Sequence, residues 1–455
     1  MKICVVPIDN RPVCYNLIKD ICDVDSDIEL FIPPREYLGD LTKNADYEKI
    51  IDWLNNIPKT DVMVLSLDTI AYGGLIPSRR SLDTIEDIKN RINKIKHLLV
   101  DNRVYAFSSI MRISNNNFNE EEKEYWKDYG KKIFEYSYNC SKYGSFETDV
   151  PNEIIEDYLK TRKRNFEINK MYLDWQKEGL FDTLIFSKDD CAEYGFNVDE
   201  GRELEKLGGK TKTGADEIPL TLIAGAMQKN IKVFVKYTEP NYKDRISNYE
   251  DVSIEKSVLG QLELGGFSVV EDEKDSDIVL VVNNFVEKQG ELVMGWDTQP
   301  FSSVFTTPQK PFAVADVRFA NGADNEFVHQ ILKKETYPQY GYSGWNTSAN
   351  SLGSLLAGIK VKYNAKVYNN RAWQKLQAIR LLDDWGYQAN VRNEINYPDD
   401  ISEKMKQFEQ IIFDVLDIKL KYIYPRYIYP KYIYPWNRKF EIEVVLETIS
   451  SMEKI

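Results

Sequence analysis

Histidine is almost missing from this chain: there are two residues, His97 and His329. His97 sits in the helical-looking run Ile95-Lys96-His97-Leu98-Leu99 and His329 in Phe327-Val328-His329-Gln330-Ile331-Leu332. Neither follows a strand, and histidines embedded in helices are read as packing or solvated groups. Ser-His-Asp hydrolysis, Cys-His proteolysis and His-rich zinc centres are therefore disfavoured. Chemistry must run on carboxylates, Arg, Lys, Tyr or Asn. The five cysteines are scattered and form no C-x-x-C pair, which speaks for reduced thiols over a disulfide framework or zinc site. No run approaches the roughly eighteen apolar residues of a membrane span. Met1 leads directly into the strand-like Lys2-Ile3-Cys4-Val5-Val6, without the apolar core of a signal peptide. The expectation is a cytoplasmic protein with no membrane partner. Neither G-x-G-x-x-G nor G-x-x-x-x-G-K-[ST] is found at a strand end, so hydride transfer on a dinucleotide is disfavoured.

Acidic residues are plentiful. Asp and Glu total 72 against 59 Lys and Arg, a net charge of −13 that repels phosphate backbones and argues against a nucleic-acid partner. With 455 residues, 43% hydrophobic and 29% charged, the chain has the make-up of a folded globular protein. At about 150 residues per domain it holds about three domains or one large one.

Apolar strand runs alternate with helical ones. Residues 3–8, 28–32, 62–67, 104–110 and 183–186 read as strands, with helices at 13–22, 47–55 and up to about 99, and a polar helical region over 119–177. A similar succession begins near Lys210: helix 218–228, strand 232–237, helix 253–264, strands 267–270, 277–282 and 312–317, and helix 324–333. Such alternation predicts an α/β fold with mostly parallel sheets. Two Rossmann-like lobes, 1–209 and 210–363, are the favoured arrangement, followed by a mainly helical region, 364–455; an elaborated β/α barrel is the alternative. Within the last region Tyr-Ile-Tyr-Pro occurs three times, starting at Tyr422, Tyr427 and Tyr432. A proline at every fifth position forbids a regular helix, and an extended connector covering the core is expected.

Polar residues collect where the strands stop. The groups are Asp9-Asn10-Arg11, then Asp68 with Tyr72-Gly73-Gly74 and Arg79, then Arg112, Asp189-Asp190, Asp216-Glu217, Asp316, and Asn321. In a parallel sheet these loops open at one edge, where α/β proteins bind ligands. Asp189 and Asp190 are adjacent, so one is expected to point into a cleft while the other caps or pairs with Lys188. Trp345-Asn346 precede a helix of small residues and suit sugar recognition through indole stacking and an amide.

The motifs PIDNRPV, IPPREYLGD, SLDTIAYGGLIPSR, DDCAEYG, GADE, ANGADNE, YSGWNTSANSLG and YPWNRKFE run from Pro7 to Glu441. Together they resemble the bacterial family called domain of unknown function 4127. The resemblance implies that the loops belong together and brings no activity with it; the tyrosine-rich triplication is a departure peculiar to this chain.

A carboxylate-dependent hydrolase is the leading expectation, a glycosidase above all, since that chemistry needs two carboxyl groups and no histidine. Asp190 and Glu217 form the expected pair, with Asp68 a further catalytic candidate. Asp9, Asn10, Arg11, Arg79, Arg112, Asp189, Asp216, Asp316, Asn321 and Asn346 would bind a sugar or other small molecule, with Tyr72 and Trp345 stacking on it. No cofactor is expected under this reading. A phosphoryl- or acyl-group enzyme using Mg²⁺, Mn²⁺ or Ca²⁺ on oxygen ligands is the first alternative. A non-catalytic small-molecule binding protein is the second.

Overall fold

A computed structural model describes residues 1–418 and 430–446. The chain divides into two compact units. The first comprises Met1–Tyr15, Ile28–Ala226 and Tyr249–Gln261; the second comprises Asn16–Asp27, Met227–Asn248 and Leu262–Ile455.

The first unit is built on six strands: β1 (Lys2–Val6), β2 (Glu29–Phe31), β3 (Val62–Ser66), β4 (Val104–Ile110), β5 (Thr183–Lys188) and β6 (Lys210–Thr213). Their order is β2-β1-β3-β4-β5-β6. Every neighbouring pair is parallel, as in Val5 opposite Val64 and Ser108 opposite Phe186. Helices on both faces explain why the central strands are continuous apolar runs: β3, VMVLS, is buried at every position. Each Leu or Val side chain taken fully out of water there contributes about 1.5–3 kcal/mol. β6, a polar KTKT segment, joins this sheet by pairing with β5, although the alternation pattern places Lys210 at the start of a new lobe. Its lysines and threonines suit an edge strand, and for that reason apolar patterning passes over it.

The second unit holds β7 (Ile231–Tyr237), β8 (Phe267–Val269), β9 (Ile278–Asn283), β10 (Gly290–Glu291), β11 (Phe312–Asp316), β12 (Phe319–Ala320), β13 (Tyr342–Ser343), β14 (Lys431–Ile433) and β15 (Glu443–Val445). A five-stranded parallel sheet has the order β13-β11-β9-β7-β8; β10 pairs with β12 in parallel, and β14 with β15 antiparallel. The helix Ser348–Asn364 is buried along most of its length, which its Gly353, Ala357 and Gly358 allow by admitting close neighbours. Asn16–Cys22, the helix directly after the first strand, belongs to this unit, where Asp20 pairs with Lys375 at 2.7 Å. Toward the C-terminus, helix Asn370–Leu381 continues into a π-helical stretch, Leu382–Val391, and helix Ser402–Val415 follows.

Both sheets are open, so the architecture is α/β with mostly parallel sheets and helices near the C-terminus, and no closed barrel is found among the described residues. Apart from Pro430, the first two Tyr-Ile-Tyr-Pro copies lie outside those residues. The third supplies β14, with the Tyr432 hydroxyl donating to Glu409 at 2.7 Å. No helix among the described residues is long and apolar enough to cross a membrane.

Candidate functional site

The strand ends of the first unit carry a network of carboxylates and arginines. After β1, Arg11 donates from Nε to Asp9 Oδ2 at 2.9 Å. It also grips Asp216, beyond β6, through Nη2 at 2.5 Å and Nη1 at 3.2 Å. All three side chains are at most 14% exposed. The neighbouring Asn10 offers its carbonyl to Arg35 Nε at 2.8 Å. Cys14 lies alongside, and burial, then the Asp9 charge, push its thiol well up. Ligand atoms of Asp9, Cys14 and Asp216 fall within 4.8 Å of one another, a spacing a metal ion could use. Arg11 already pairs with both carboxylates, so one positive charge faces two negative ones.

After β3, the Ser66 hydroxyl caps a short helix, Leu67–Tyr72, which Gly73 ends at φ 90° in the left-handed region that glycine enters without strain. The glycine pair thus makes a turn between this helix and Leu75–Arg80. Asp68 is 1% exposed and accepts from the Ser109 backbone N–H at 2.7 Å; burial pushes its carboxyl up to about 7. Tyr72 is packed into the core with the Arg164 guanidinium 5.4 Å above its ring.

Arg112, after β4, is the hub. Its Nε meets Glu122 at 3.0 Å and Nη2 meets Glu121 at 2.8 Å. Its Nη1 reaches Asp190 at 3.1 Å and Asp189 at 3.5 Å. Arg79, 1% exposed, stands 3.5–3.9 Å from Glu122, Glu121 and Asp189. Burial, then the Asp190 charge, raise the Asp189 carboxyl well above the usual carboxylate range, against the pull of Arg112. The two aspartates share one guanidinium nitrogen because Asp190 has φ 44°, which breaks the alternation that would send neighbours to opposite sides. Lys188 takes a different partner, Asp251, at 2.5 Å. Glu217 has no exposed surface and lies just before the helix Ile218–Ala226. Glu121, Glu122 and Asp251 are not legible as site residues in the sequence: all three sit in polar stretches where nothing in the pattern marks a buried ion pair.

The remaining predicted residues belong to the second unit. Asp316, 1% exposed, accepts from Asn283 and the Tyr342 hydroxyl at 2.8 Å and from the Asp324 N–H at 2.9 Å. Burial, then the Asp324 charge, push it up to about 7. Arg318 ties Asp324 at 3.3 Å and Glu239 at 2.9 Å, so this network braces the ends of β7, β9, β11 and β13. Asn321 donates to Glu291 at 2.7 Å, and Asn346 receives the Asn321 backbone N–H at 3.1 Å. Trp345 is 1% exposed, its ring 6.1 Å from that of Phe440. Tyr72 and Trp345 are therefore core aromatics. The sequence expects both to stack on a sugar; the two residues are 3% and 1% exposed.

The loops carrying these groups hold the motifs that run through the chain, and the model of one family matches residues 3–445. The chain belongs to the family Protein of unknown function (DUF4127). No curated protein matches it. Among solved structures, a UGT transferase from Siraitia grosvenorii in complex with UDP shows 9% identity, with 90% of this chain and 99% of that chain covered. Its TM-score is 0.21, too low to bear on fold or function. In this DUF4127 chain the segments PIDNRPV, DDCAEYG and GADE fall in the first unit, and ANGADNE, YSGWNTSANSLG and YPWNRKFE in the second.

Proposed function

We propose that the first unit is a carboxylate-dependent hydrolase that cleaves a glycosidic bond in a small sugar or oligosaccharide. The observation supporting it is the Asp189–Asp190 pair on one Arg112 nitrogen, with side chains 17% and 28% exposed and Asp189 raised by burial. Two carboxyl groups in unlike surroundings can serve as acid and base at one pH. Asp189 would keep its proton and pass it to the leaving oxygen, while Asp190 acts as base or nucleophile. Arg112 fixes the pair in place, and Asp9, Asn10 and Asp216 offer acceptors to sugar hydroxyls. Glu217 and Asp68, both closed off from solvent, support the site without touching substrate. No cofactor enters this scheme. Carboxylates outnumber guanidiniums around Arg79 and Arg112, which also suits Mg²⁺, Mn²⁺ or Ca²⁺ on oxygen ligands as a second reading.

Hydrolysis of a panel of aryl glycosides and natural oligosaccharides, with and without EDTA, separates the two. The expected result is turnover that EDTA leaves intact and that drops at least ~100-fold in Asp189→Asn and in Asp190→Asn. Loss with EDTA transfers the chemistry to a metal, and silence across the panel refutes the hydrolase.

A further inference from the structure

The second unit buries polar atoms that its own contacts do not satisfy. Trp345, Asp384, Gln388 and Arg392 are each at most 2% exposed. Trp345 Nε1, Asp384 Oδ1, Gln388 Oε1, and Arg392 Nε and Nη2 nevertheless have no hydrogen-bond partner. Leaving one such atom unpaired costs about 1–3 kcal/mol, and more when it is charged, so native proteins keep few of them.

Asp384 and Gln388 lie in the π-helical stretch Leu382–Val391 and Arg392 follows it. Stretches of π-helix occur often at functional sites. The other Asp384 oxygen is held by the Gly344 N–H at 2.7 Å and Arg380 Nη2 at 2.9 Å, directly beside Trp345. Gly322 packs against this stretch: a Cβ there would lie 3.3 Å from Gln388 Cβ and 2.3 Å from Leu292 Cδ1. Asn321 and Asn346, at φ 60° and 77°, border it in a backbone region that non-glycine residues rarely enter.

The free edge of Arg392 indicates the ligand. Nε and Nη2 form the side of a guanidinium that takes a carboxylate with two parallel bonds, as Arg162 does with Glu200 at 3.0 and 2.6 Å in the first unit. The acids near Arg392 are already engaged: Glu291 accepts from Asn321, and Asp383 from Gln388 Nε2 at 3.0 Å. Asp384 Oδ1 and Gln388 Oε1 call for donors, and the Trp345 N–H calls for an acceptor. We infer that this part of the second unit binds a small carboxylate that carries its own hydroxyl or amino donors, the chemistry of amino acids and of hydroxy or sugar acids. A phosphate dianion fits poorly, because Arg392 offers a single guanidinium edge and the other orphaned oxygens, Asp384 Oδ1 and Gln388 Oε1, are acceptors. The inference concerns the second unit alone and stands whether or not the first unit hydrolyses anything.

Calorimetric titration of the full chain tests it with two sets of acids, amino acids in one and gluconate and glucuronate in the other. Each acid is paired with its neutral amide or alcohol, and inorganic phosphate is a separate arm. One set is expected to bind at least ~10-fold more tightly than its neutral partners. Arg392→Lys, which keeps the charge but loses the fork, and Gln388→Leu should each weaken that binding at least ~10-fold while circular dichroism stays unchanged. Acids that bind no better than their neutral partners overturn the inference, as does tighter binding of phosphate or undiminished binding in the two variants. Absence of any binding does the same. The contrast between acid and neutral partner needs no variant, so it decides the matter even if neither variant folds.

Discussion

Replacing Asp68 by asparagine should change how the stability of the first unit depends on pH. Asp68 is 1% exposed at the end of β3, and burial outweighs the Ser109 N–H bond to hold its carboxyl at about 7. An ordinary aspartate titrates near ~3.9. Between those values the folded protein keeps a proton that the unfolded chain has released, so stability falls as pH rises through that window. The slope reaches about 1.4 kcal/mol per pH unit, and three units amount to roughly 4 kcal/mol, an order-of-magnitude figure. The amide of the variant does not titrate and can still accept from the Ser109 N–H. Urea melts of wild type and Asp68→Asn, followed by circular dichroism from pH 4 to pH 8, measure the difference. The variant should gain on wild type steadily as pH rises. Asp316 also titrates at about 7, but it contributes equally to both proteins and cancels. Parallel stability–pH curves would refute the reasoning, because Asp68 would then ionise in the folded state as easily as in the unfolded chain.

Arg11→Met strands the buried Asp9 and Asp216 carboxylates and should cost about 3–5 kcal/mol in denaturant melts, with Asp216→Asn in the same chain recovering part of the loss. Gly73→Ala puts an L-residue at φ 90° and a Cβ 3.1 Å from the Ala45 N, whereas Gly208→Ala, at φ 96°, meets nothing within 4 Å. Both should lose about 1–2 kcal/mol from the backbone, and melting curves should show a further loss for Gly73→Ala alone.

The central strands of the two larger sheets could be read from the chain, because a parallel strand covered on both faces must be apolar throughout. Val62–Leu65 of β3 and Ile278–Val282 of β9 meet that condition without help from distant residues. The strand-end positions of Asp9, Asp68, Asp190 and Asp316 followed from the same pattern. Edge strand β6 escaped because its exposed side chains are free to be polar. Two short helices follow β3 where the glycines suggest a loop, since six-residue helices are too short to show a period.

By itself, then, the sequence determined the α/β class, the parallel sheets and the polar strand ends, all of which depend on residues close together in the chain. Tertiary structure alone decided what those polar groups meet. Arg112 finds Glu121 and Glu122 nearby in sequence but Asp189 and Asp190 far along it, and Arg11 closes on Asp216 from the opposite end of the unit's chain. The structure likewise decided that Tyr72 and Trp345 are core, and that Asp190 turns back to stand beside Asp189. Burial and ion pairing are sums over neighbours brought in by folding. A periodic pattern records which face of an element is apolar, but not which charges the fold sets against it.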